Sequence, residues 1–163
     1  MAGVTDTDKG FRDLARQLRE LAGDEVSVLV GVHGATDSEM VVIAASNEYG
    51  TTSSGTGPGH NVPERSYLRS TVDQGQAEIL DDLQAAVVKA LDGADLEQQL
   101  GLVGEKWVGR VKMTIRDLSD PPNAPSTIAA KGADNPLIDQ GRLRNSITWT
   151  LHYGPTDELG LAE

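Results

Sequence analysis

The stretch "EMVVIAAS", residues 39–46, is apolar at nearly every position, and it follows an alternating stretch, "EVSVLVGV", at 25–32. How these two are read decides the fold. In the earlier stretch Val26, Val28, Val30 and Val32 alternate with Ser27, Leu29 and Gly31, the period of a strand with one strongly apolar face. A polar turn, "GATDS" at 34–38, joins the two. Two apolar runs around a polar turn predict a β-hairpin, with 39–46 as a strand buried on both faces.

On the N-terminal side, Phe11, Leu14, Ala15, Leu18, Leu21 and Ala22 recur at steps of three and four. This predicts an amphipathic helix over 8–22, with Asp6 or Thr7 as its cap and Gly23 as its stop. On the C-terminal side, "YGTTSSGTGPGHNVP" at 49–63 has no periodicity and few apolar groups to bury, so it reads as a mobile loop. Two helical stripes follow. Leu68, Val72, Ile79, Leu83, Val87 and Leu91 form the first; Leu96, Leu100, Val103, Trp107, Val111, Ile115 and Leu118 form the second. "DGAD" at 92–95 separates them and offers Asp95 as an N-cap.

A Pro/Gly-rich connection spans 119–136 and holds a short helix, "STIAAK", stopped by Gly132. In "NPLIDQGRLRNSITWTL", 135–151, Asp139 can cap a short helical turn through 140–145. Ile147, Trp149, Leu151 and Tyr153 then alternate with polar residues, which predicts a third strand. Residues 154–163 read as a flexible acidic tail. Together these elements predict a single α+β domain over 1–163: a small, mainly antiparallel sheet packed by an N-terminal helix and two long helices.

Composition narrows the functions. Aromatics make up 4% of the chain against 38% hydrophobic residues overall, so aliphatic side chains must build the core. With no cysteine, disulfides, thiolate catalysis and cysteine–zinc sites are excluded. No apolar run approaches the ~20 residues that span a bilayer, and the N-terminus lacks the pattern of a signal peptide, so no membrane partner is expected and synthesis in a host cytoplasm is. The formal net charge of −11 opposes tight binding to nucleic acid, which needs a basic face.

Catalytic signatures are missing from the sequence. "GTGPG" at 55–59 is followed by His60 and Asn61, without the Gly-Lys-Ser/Thr ending through which a phosphate loop reaches phosphates. His33, His60 and His152 are scattered, with no metal-ligand spacing. No serine lies in a Gly-x-Ser-x-Gly elbow. The carboxylate pairs Asp81 and Asp82, and Asp117 and Asp120, fall on helix surfaces or ends, where solvated charge explains them. No enzyme activity, cofactor or metal is therefore expected.

Four stretches stand in order along the chain: "AASNEYGT" (44–51), "VPERSYLR" (62–69), "PSTIAAKG" (125–132) and "PLIDQGRLRNSI" (136–147). Together, over residues 10–150, they resemble the neck and tail-completion proteins of tailed bacteriophages, a virion-morphogenesis family that joins the filled head to the tail. Ser66, Tyr67 and Gln140 depart from the family's usual proline, phenylalanine and threonine. The resemblance implies a structural virion protein of the head–tail connection, assembled as a ring of six or twelve copies between connector and tail proteins, with packaged DNA passing through without tight binding. The alternatives are a tail-terminator ring and, from another class, a small hydrolase or nucleotide-binding enzyme. Glu48, Tyr49, Arg65, Arg142 and Arg144 are the expected interface residues. Gly50 is expected to turn the chain sharply, Tyr67 and Leu68 to anchor it in the core, and Asp139 with Gly141 to aim Leu143 inward.

Overall fold

A computed structural model describes residues 16, 26–33, 38–52 and 61–154. Strand β1 (Val26–Gly31) is followed by helices α1 (Ser38–Tyr49), α2 (Tyr67–Leu91), α3 (Leu96–Asp117), α4 (Pro125–Lys131) and α5 (Arg142–Ser146), and by strand β2 (Thr148–Tyr153). The chain is thus an α+β domain around a two-stranded antiparallel sheet. The expected N-terminal helix over 8–22, the centre of the glycine-rich loop and the acidic tail lie outside the described residues.

The hairpin reading is overturned. Residues 38–49 form α1, and β1 pairs with β2 at the other end of the chain, from Val26 opposite Tyr153 to Gly31 opposite Thr148. A continuous apolar run carries no period, so it does not separate a buried strand from a helix. The helix wins because residues four apart share a task. Met40, Ala44 and Glu48 are its buried positions, whereas Val42 and Tyr49 on the other side are more than half exposed.

α3 organises the rest. Asp95 caps it, its side chain accepting from the Gln98 N–H at 2.7 Å. It packs along α2 and against both strands. Its Leu96, Leu100, Val103 and Trp107 join Ala86 and Ala90 of α2 in one core cluster, which Val26, Val28 and Leu151 cover from the sheet. Its Val111 and Ile115 join Met40, Ala44, Tyr67, Leu137, Leu143 and Ile147 in a second cluster.

The face that α2 buries differs from its large-aliphatic stripe. Its buried residues are Tyr67, Thr71, Ala86 and Ala90, while Val72 and Leu91 are 46% and 41% exposed. Small residues win here because they let α3 come close. A Cβ on Gly75 would stand 2.2 Å from the Trp107 ring, so that ring occupies the space a side chain would need. The same device seats the sheet. Gly101 and Gly104 of α3 form a bare surface on which Trp149 of β2 lies, with added Cβ atoms falling 2.8 and 2.7 Å from its ring.

Candidate functional site

The four quoted stretches converge on the end of the domain where α1, α2 and α5 meet. α1 ends at Tyr49, and Gly50 reverses the chain at φ +72, a left-handed conformation that favours glycine. A side chain there would also press on the chain coming back, since a Cβ would lie 2.9 Å from the Glu64 nitrogen. The returning chain is held by paired backbone bonds between Thr51 and Val62, at 2.9 and 2.8 Å, and by the Arg65 N–H on the Asn47 carbonyl at 2.7 Å. Gly50 therefore turns the chain as expected, at the end of a helix instead of a strand.

Glu48 is 3% exposed. Its carboxylate accepts from the backbone N–H groups of Leu68 at 2.9 Å and Arg69 at 3.0 Å, in the first turn of α2, and from Arg69 Nε at 3.1 Å. The first N–H groups of a helix have no partner inside it, and the helix dipole favours negative charge there. Ser66 at the N-cap makes no side-chain capping bond, so Glu48 does from another helix what a cap residue does locally. The Arg69 guanidinium completes the clamp: it donates to the Glu48 carbonyl at 2.9 Å and to Glu64 at 2.7 Å, and it lies 4.8 Å over the Tyr49 ring.

Arg65 is the second buried charge, at 6% exposure. Nε donates to the Pro121 carbonyl at 2.9 Å and a terminal nitrogen to the Pro122 carbonyl at 3.0 Å. Prolines supply carbonyls and no N–H, so this segment can be held only through its acceptors. Burial pulls the Arg65 guanidinium below its ordinary value, and the charge of Asp134 opposes that shift. Glu48 and Arg65 are thus engaged inside the subunit and offer a neighbour almost no surface. Tyr49 is 63% exposed.

At the other stretch, Gly141 is left-handed at φ +76 and stands at the N-cap of α5, which has no side-chain cap. Asp139 does not cap the turn as expected: a glycine in the left-handed region sets the direction unaided. Leu143 points inward, 6% exposed, and Ile147 is 1% exposed. Arg142 is half exposed and reaches Glu39 of α1 at 3.4 Å. Arg144 is partly exposed and makes no ion pair with the described residues.

The remaining chemistry-bearing residues have structural neighbours. Asp82 accepts from Lys106 at 2.7 Å and from the Trp107 indole at 3.1 Å, and Glu78 binds Arg110 and Lys106 across the α2–α3 groove. Asp117 pairs with Arg116. No group of three or more His, Asp or Glu side chains is placed to hold a metal among the described residues. No helix among the described residues is long and apolar enough to cross a membrane.

Tyr67 departs from the phenylalanine of the resembled pattern, and its surroundings explain why phenylalanine fits. The ring is fully buried in the core cluster, yet its hydroxyl has no hydrogen-bond partner. Burial, with the nearby Glu48 charge, pushes the phenol above its ordinary pKa, so it stays neutral. An unpaired buried hydroxyl costs about 1–3 kcal/mol. Tyr67→Phe is therefore expected to stabilise the domain by about 1 kcal/mol, raising the thermal midpoint by roughly 2–4 °C for a chain of this size. A lower midpoint by calorimetry means that the hydroxyl has a partner in solution.

No protein-family model, curated protein or solved structure matches the chain.

Proposed function

We propose that this chain is a structural protein of the bacteriophage head–tail connection, a neck or tail-completion subunit that works by packing against copies of itself and against neighbouring connector and tail proteins. One observation supports the reading above the others. The stretches that carry the resemblance fold into one joint, in which Glu48 holds α2 and Arg65 holds the proline segment. The side chains that the joint leaves facing outward are Tyr49, Arg142 and, in part, Arg144. In this reading the joint's task is rigidity. It fixes an outer surface, as a ring subunit under load requires, and it carries no reacting group. The net charge of −11 suits a channel wall, because like charge keeps packaged DNA from sticking.

The experiment reverses both outward arginines, Arg142→Glu with Arg144→Glu. The ion pair of Arg142 with Glu39 is exposed on both sides, and such pairs contribute about 0–1 kcal/mol. The folded chain should therefore melt close to wild type. Particle assembly, scored by complementation and electron microscopy, should fail, because like charges then face each other across an acidic interface. Normal assembly, or particles in which the labelled protein is absent from the neck, overturns the reading.

A further inference from the structure

The outward face of α2 carries a stripe that the core does not use. Ala77, Leu80, Gln84, Val88 and Leu91 are all exposed, Leu80 at 60%, Val88 at 57% and Leu91 at 41%. None is charged, although charged residues make up 24% of the chain and its net charge is −11. An exposed row of large aliphatics over four turns of one helix marks a contact surface.

The spacing says what covers it. Around Gln84 the stripe is symmetric: Leu80 and Val88 lie four residues before and after it, Ala77 and Leu91 seven before and after. Positions three, four and seven apart share one face of a helix. If a second α2 is laid antiparallel across a two-fold axis at Gln84, Leu80 meets Val88 of the other copy and Ala77 meets its Leu91. The small residue is thereby placed against the large one at each end. The two Gln84 side chains face each other on the axis, and each amide can both donate and accept. This is the self-complementarity that a two-fold interface requires. Charge points to the same occupant. Two copies of so acidic a chain repel over most of their surfaces and approach at least cost where charge is absent, whereas a basic partner would be drawn to the acidic faces instead.

We propose that α2 is a self-association surface, on which a second copy of this chain seats its own α2 antiparallel about Gln84. This pairing does not depend on the head–tail reading, and its test needs no particle. Because the chain has no cysteine, single introduced thiols report position cleanly. Packed helices stand about 8–10 Å apart, beyond disulfide reach, so a short bismaleimide is the suitable linker. Gln84→Cys should give linked dimers at high yield, while Glu105→Cys, exposed on α3, should give few. In sedimentation equilibrium the wild-type chain should self-associate. The double variant Leu80→Glu with Val88→Glu should raise the dissociation constant at least about 100-fold, with its thermal midpoint unchanged. A wild-type chain that stays monomeric at millimolar concentration overturns the proposal. So does equal linking at both cysteines, or association that survives the two glutamates.

Discussion

Gly75→Leu is expected to destabilise the domain by more than about 3 kcal/mol, a fall in thermal midpoint of at least roughly 6–12 °C. Two effects oppose each other at this position. Removing a glycine from a helix interior should help by about 0.5–1 kcal/mol. Against that, the first added carbon already falls 2.2 Å from the Trp107 ring. That ring is 6% exposed and tied to Asp82 through its indole N–H, so it cannot swing aside without breaking a bond and opening the α2–α3 seam. Overpacking of a closed core commonly costs about 1–3 kcal/mol, and a rigid ring at this distance puts the site at or beyond the top of that range. Gly109 on α3 is the control. An added Cβ there meets nothing within 4 Å, so Gly109→Ala should stabilise by about 0.5–1 kcal/mol. Calorimetry of the two variants should give opposite signs. Two changes of the same sign would mean that Trp107 is not seated on Gly75.

Glu48→Ala should be nearly as damaging, at about 2–4 kcal/mol. The change leaves two backbone N–H groups at the start of α2 without acceptors and removes the carboxylate that favours that end of the helix. The lost cap accounts for about 1–2 kcal/mol and the unsatisfied donors for the remainder. Arg69 adds little, because its side chain is 47% exposed and water can replace its partner. Glu48→Gln separates charge from shape, since one amide oxygen can still accept from a backbone N–H while the negative charge is gone. It should fall between wild type and alanine in denaturant unfolding. Hydrogen exchange of the Leu68 and Arg69 amides should accelerate first in both variants. Unchanged exchange at those two amides would remove Glu48 from its capping role.

The helices α2 and α3, the Asp95 cap, the stop at Gly132 and the strand β2 were legible in the sequence because each rests on local chemistry: an apolar period, a capping side chain or a residue able to adopt positive φ. α1 was not. Val41, Val42 and Ile43 are β-branched and stand beside further apolar residues, so neither a period of two nor one of 3.6 shows. The packing surfaces at Gly75, Gly101 and Gly104 were hidden for the opposite reason: a hydrophobic pattern is read from large side chains, and these sites work by having none. Glu48 and Arg65 were legible as residues of interest but were assigned to the outside, since charge ordinarily lies at the surface. The available signal was context. Glu48 lies four residues after Ala44 and eight after Met40, on the face that α1 buries, but only a helical reading of that segment makes the alignment visible.

The pairing of Val26 with Tyr153 also sets an order of events during synthesis. β1 leaves the ribosome early, and its partner is almost the last described element to appear. Until Thr148–Tyr153 emerge, the backbone groups of β1 have no strand to bond, although α2 and α3 can already pair through their neighbouring sequence. Sheet closure is therefore the step of longest sequence separation and the slow one, because entropy must be lost over the whole intervening chain before any ladder bond forms. The nascent protein is a helical pair with an open strand beside it, and it becomes this domain only when its last strand arrives.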